Sequence, residues 1–181
     1  DKRRYTLKVL SVILGENMSS RLFQIVREKH GLAYSVHSSF QLFAETGVLA
    51  ISAGLDKAKN EKALSLIVRE LNRLKEETVG AHELKRAREY IIGQLRLGLE
   101  STSGQMMWMG ESILTYGRAI TPDEFIEAVT AVTADDVQKL AHTILRDRCV
   151  SLSLLSPGLS DKDGDVNEDG CALLIRFMAS T

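Results

Sequence analysis

From Lys2 to Leu14, apolar residues recur at three- and four-residue spacing. Leu7, Leu10 and Leu14, joined by Val9 and Ile13, fall on one broad stripe, which predicts a helix. Beyond Glu16 and Asn17 the period returns for a second helix. Ser19 or Ser20 is expected to cap it, Leu22, Phe23 and Val26 to line its inner face, and Gly31 to end it in the left-handed conformation. From Leu32 the period drops to two. In "LAYSVHSSF" the residues Tyr34, Val36, Ser38 and Phe40 share one strand face, and "AETG" turns the chain into a second strand, "VLAISAGL". Two alternating runs joined by a short turn predict an antiparallel pair.

The middle of the chain is helical. Between Asn60 and Glu77 a stripe of Ala63, Leu64, Ile67, Val68, Leu71 and Leu74 is expected to face the core, and Gly80 interrupts the run. Leu84, Ala87, Ile91 and Leu95 carry the next helix. "QMMWMGESILTY" reads as another, with its methionines and Trp108 expected to fill space between helices. "TPDE" from Thr121 is a capping box with proline in the first turn, and "TADD" from Thr133 resembles a second. "CVSLSLL" from Cys149 alternates and is expected to close the sheet. Strands, then a block of helices, then a strand is an α+β order: a largely antiparallel sheet covered on one face by helices. The domain is expected to run from residue 1 to 156. Residues 157–181, opened by Pro157-Gly158 and containing "LSDKDGDVNEDG", read as an acidic tail.

Composition narrows the class without naming an activity. A chain of 181 residues with a net charge of -1 lacks the basic excess that nucleic acid or an anionic membrane would demand. No run approaches the roughly 18 apolar residues of a membrane span, and no signal-peptide pattern opens the chain. Cys149 and Cys171 are too few for a disulfide framework and fit a reducing compartment, so a cytoplasmic location is expected, with periplasm and mitochondrial matrix as alternatives.

Candidate chemistry is sparse. His30, His37, His82 and His142 include no pair in the H-x-x-E-H or H-E-x-x-H arrangement that sets two imidazoles on one helix face, so this chain is not expected to bind zinc by itself. Ser19, Ser20, Ser35, Ser38 and Ser39 lack a nucleophile elbow and read as caps and strand surface. Asp165, Asn167, Asp169 and Gly170 match the first half of a calcium loop. Arg176 then stands where the bidentate acid is required, so a calcium module is the lesser reading. Arg27 and Tyr34 can be read as a solvated helix end and an inward strand residue. The sharp turn at Gly31 offers another reading, in which guanidinium and phenol point into one region as two donors for a developing oxyanion.

The run "LGENMSSRLFQIVREKHGLAYSVHSSF" resembles the C-terminal half of insulinase or pitrilysin-type zinc metallopeptidases, which include mitochondrial processing peptidase and its bacterial relatives. The resemblance continues through "TGVLAISAGLDKAKNEKAL", "ELKRAREYIIGQL" and "GRAITPDEFIEAVTAVTADDVQKLA", and covers about Arg4 to Ser156. It implies two similar α+β halves closing around a peptide. The N-terminal half holds zinc through H-x-x-E-H and a distal glutamate, and the C-terminal half lends an arginine and a tyrosine, here Arg27 and Tyr34. Glu16 and Asn17 replace the usual glycines, His30 stands where arginine is common, and the opening strand of such a half is missing.

The resemblance therefore implies a substrate-binding C-terminal domain of a zinc metalloendopeptidase, with zinc in the full enzyme and none bound by this chain. Its implied partners are a peptide substrate, a zinc-binding N-terminal half or partner subunit, and a homodimer mate; neither nucleic acid nor membrane is among them. The alternative is a non-catalytic structural subunit of a larger assembly.

Overall fold

The computed structural model describes residues 3–43, 46–146, 149–155 and 170–180. Helix α1 spans Arg3–Ser11 and runs directly into a wider π turn, Val12–Glu16, and a second π segment covers Phe23–Lys29. Strands β1 (Ala33–Leu42) and β2 (Thr46–Asp56) follow, and then α2 (Asn60–Glu76), α3 (Ala81–Gly98), α4 (Thr102–Tyr116), α5 (Pro122–Ala131) and α6 (Ala134–Ile144). Strands β3 (Val150–Leu155) and β4 (Gly170–Ser180) complete an antiparallel sheet of order β1-β2-β4-β3. The α+β order expected from the pattern is the observed one.

One face of the sheet carries the core. Leu49, Ile51, Ala53 and Leu55 of β2 stand beside Leu173, Ile175 and Phe177 of β4, and all are buried under the helices. Alternation places Ala50, Ser52 and Gly54 on the other, more open face. Helix α1 lies against α3, α5, α6 and β1, while α2 lies against α6 and β2. Leu10, Leu14, Leu22, Ile67 and Leu74 are among the fully buried side chains of the core.

Five local expectations need correction. Residues 170–180, placed in the acidic tail by composition, form β4, which separates β3 from β2. The acidic run before them masked the alternation of Leu173, Ile175 and Phe177. Asp165, Asn167 and Asp169 lie outside the described residues, while Arg176 pairs across the sheet with Ala50 and Ser151.

The stripe of α2 is rotated: Val68 is exposed, and Leu66 and Glu70 turn inward. Glu70 is fully buried. Arg73 makes this tolerable by donating from Nη1 to both carboxylate oxygens at 3.3 and 3.1 Å. The methionines of α4 do not fill the core; Met106, Met107 and Met109 are exposed, and Ser112 is the buried residue of that helix. Trp108 anchors α4 by donating its indole N–H to Ile120 O at 2.8 Å.

The serines before the second π segment do not cap it, since Ser20 Oγ is buried with no hydrogen-bond partner among the described residues. Asn17 Oδ1 instead accepts from Ser19 N–H at 2.8 Å. Ser38, expected at the strand surface, is buried and donates to Ser11 O at 2.8 Å. Both capping boxes form as read, at Thr121 with Glu124 and at Thr133 with Asp136.

Candidate functional site

The segment from Phe23 to Tyr34 is held at both ends. At its start, Arg21 forks onto Glu83 of α3, with Nε and Nη2 donating to the two carboxylate oxygens at 2.8 and 2.7 Å. Such a bidentate pair fixes direction as well as distance. Leu22 and Val26 are buried against the core. At its end, Gly31 adopts φ 58°, a left-handed conformation open to glycine at little cost. Its N–H donates to Arg27 O and the Leu32 N–H to Val26 O, which closes the helix and turns the chain into β1.

Arg27 lies in the last turn of the π segment. Its guanidinium stacks on Phe23, 4.8 Å from the ring centroid, and Nε lies 4.0 Å from Glu28. The side chain is 44% exposed and makes no hydrogen bond among the described residues. Stacking restrains the stem while leaving the outward N–H groups free.

Tyr34 is 88% exposed, which strict alternation would not allow. Ala33 pairs with Leu55 and Ser35 with Gly54, so the register shifts between them and Tyr34 is the extra residue of a β-bulge. The bulge returns Ala33 to the buried face and turns Tyr34 away from Val36 and Ser38. Bulges characteristically re-aim a side chain in this way. The Tyr34 hydroxyl has no hydrogen-bond partner among the described residues. Arg27 and Tyr34 thus stand exposed on either side of the Gly31 turn, and no hydrogen bond joins them.

Two further features were not legible in advance. Lys59, at the end of the short 3₁₀ turn Lys57–Lys59, pairs with Asp56 at 3.4 Å and lies 3.5 Å from Gly31 O, so the end of β2 buttresses the turn. The Arg21–Glu83 pair spans 62 residues of sequence, and no local signal announces it. The surrounding charges are cooperative. Arg73 holds the Glu77 carboxyl below its usual range by hydrogen bonding and charge, and Arg21 adds to the effect from a distance. No group of three or more His, Cys, Asp or Glu among the described residues could hold a metal ion.

With this geometry in view, a family model described as the peptidase M16 inactive domain matches residues 1–91. The chain belongs to the peptidase M16 inactive-domain family. It is 38% identical over 172 residues to an uncharacterized zinc protease of Streptomyces coelicolor, covering 95% of this chain and 37% of that protein. A Bacillus subtilis protein, also named an uncharacterized zinc protease, is 38% identical over 156 residues, covering 86% and 38%. The chain therefore spans little more than a third of the length of these curated relatives. Among solved structures, an inactive peptidase domain from Bordetella parapertussis superposes with a TM-score of 0.70 at 22% identity, covering 82% of this chain and 80% of that one. A conserved protein of Enterococcus faecalis gives 0.72 at 27%, covering 78% and 33%. The M16 fold thus accounts for most of the sequence. Among the described residues, no helix is long and apolar enough to cross a membrane.

Proposed function

We propose that this M16 domain is the substrate-binding C-terminal half of a zinc metallopeptidase, and that Arg27 and Tyr34 are the groups it lends to peptide hydrolysis. The observation that carries the reading is the bulge at Tyr34, which leaves a phenol hydroxyl without a partner among the described residues and directed away from the core. A packing tyrosine would bury its ring and tie its hydroxyl to a nearby backbone group. An oxyanion donor must instead remain free for the place where charge develops.

Zinc, held by a separate N-terminal half or partner subunit, would supply an activated water and polarise the scissile carbonyl. This chain's contribution is complementary. Arg27 offers a planar fork of N–H groups to a substrate backbone carbonyl or carboxylate. Tyr34 donates its O–H to the carbonyl oxygen as that oxygen gains charge. The Arg21–Glu83 fork and the Gly31 cap fix the backbone from which both side chains project, which limits what must be ordered when the substrate arrives. The names of the curated relatives, zinc proteases, support the reading. We further propose a cytoplasmic location, on the compositional ground that two cysteines are too few for a disulfide framework.

The test is kinetic. In the protein assembled with its zinc half, Tyr34→Phe should lower kcat by about ten- to a thousand-fold, the range for losing one oxyanion donor, with the melting temperature unchanged. Undiminished turnover would return the segment to helix, cap and strand, and would favour a structural subunit.

A further inference from the structure

At the other end of β1, about 20 Å from Tyr34 at strand spacing, a cleft of about 440 Å³ opens between α1, α4, α5 and the Phe40–Leu42 end of the strand. Of the ten aromatic residues in the chain, five line this one space. The core, by contrast, is aliphatic apart from Phe177. The aromatic wall is rigid. Phe125 meets Tyr5 edge-on at 5.5 Å and Trp108 edge-on at 5.3 Å, and the indole is tethered to Ile120 O. Rings placed this way offer apolar area at little cost in ordering.

The polar groups are few, and several are unspent. Lys8 is neutralised by Glu16 at 2.7 Å. Arg4 has no ion pair among the described residues. Its guanidinium lies 4.1 Å from the Tyr116 ring centroid and 4.6 Å from that of Tyr5, and it donates to the Tyr5 hydroxyl at 2.6 Å. Glu111 lines the same cleft and also lacks an ion pair there. Ser112 is 5% exposed, and its hydroxyl makes no hydrogen bond among the described residues. One held cation and one free carboxylate around an aromatic wall define a small zwitterion with an apolar body. A cleft of this volume suits a compact ligand, and a peptide of two or three residues spans at most about 7–11 Å.

We propose that this cleft is a binding site for a short apolar peptide with both termini free. The peptide carboxylate meets Arg4, its ammonium meets Glu111, and its apolar side chains lie on Trp108 and Phe125. The site is distinct from the Arg27 and Tyr34 surface and stands or falls independently of it.

Trp108 is the single tryptophan of the chain, so its fluorescence reports on this cleft alone. The dipeptide Leu-Phe is titrated against the protein, alongside its N-acetyl and C-terminal amide forms. The free dipeptide should give a saturable change, and each blocked form should bind roughly tenfold more weakly, as expected for loss of one charge-assisted contact. Arg4→Gln should remove the penalty for amidation only, and Glu111→Gln the penalty for acetylation only, with melting temperatures unchanged. The proposal is overturned if no saturable change occurs, if blocked and free forms bind equally, or if the two substitutions weaken all forms alike.

Discussion

A Cβ added to Gly15 would lie 2.6 Å from the backbone nitrogen of Ser38. The π turn at the end of α1 therefore rests directly on β1, and the contact is backbone on backbone. Ser38 reinforces it by donating to Ser11 O. Gly15→Ala must push the helix off the strand, and overpacking of this kind costs about 1–3 kcal/mol. Urea unfolding should show a lowered midpoint with an unchanged slope. An unchanged midpoint would mean that the contact yields without cost.

Arg21 and Glu83 offer a second test. The Arg21 side chain is only 11% exposed, so removing it strands a partly buried carboxylate. Arg21→Ala is expected to cost about 1.5–3 kcal/mol, the range for charged hydrogen bonds. Arg21→Lys should recover only part, because a point charge cannot reproduce the fork. Full recovery by lysine would show that charge alone matters.

Glu70 makes a sharper prediction about α2. Arg73→Ala removes its hydrogen bonds and leaves Arg69 at 3.8 Å as the nearest remaining cation. Breaking a buried pair from one side costs about 3–5 kcal/mol, and the half-exposed Arg73 should place this case at the lower end. Adding Glu70→Gln to Arg73→Ala should restore stability, since a neutral amide is cheaper to bury. A double-mutant cycle with additive losses would contradict the pairing.

The capping boxes predict a pH dependence. Asp136 is held below its usual range by hydrogen bonds from the Thr133 hydroxyl and N–H, and Glu124 by hydrogen bonds from Thr121 and Arg118. Both carboxyls have folded pKa values below their unfolded ones. Their stabilisation is therefore present above about pH 4–5 and lost as pH falls through the lower, folded values. Asp136→Asn should melt below the wild type at pH 7, and the gap should close as the solution is acidified toward pH 2. A gap that persists at that pH would assign the loss to something other than ionisation.

At the proposed peptide surface, Arg27→Ala should reduce kcat/KM in the assembled enzyme, and Arg27→Lys should restore it only partly. Because the Arg27 side chain is exposed and stacked only on Phe23, neither change should move stability by more than about 0.5 kcal/mol. Complete rescue by lysine would reduce its role to long-range charge.

Much of this architecture is written locally. The period of α3 named Leu84, Ala87, Ile91 and Leu95, and all four are buried. Thr121 and Thr133 announced their capping boxes because a cap is satisfied within three residues. Gly31 announced a left-handed cap because few other residues adopt that conformation. The same segment offered Arg27 and Tyr34 as candidates. What the sequence could not decide was what lies opposite each residue. The inward turn of Glu70 depends on Arg73 and the packing around α2, and strict alternation placed Tyr34 on the core face until the pairing with Gly54 and Leu55 inserted a bulge. β4 escaped notice because an acidic run precedes it and its neighbour β2 is distant in the chain. Arg21 looked like any surface cation until α3 brought Glu83 to it. The cleft around Trp108 draws on α1, β1, α4 and α5, and no window of sequence contains it. Periodicity and capping act over a few residues, whereas register, ion pairing and cavities arise from pieces of chain that meet only on folding.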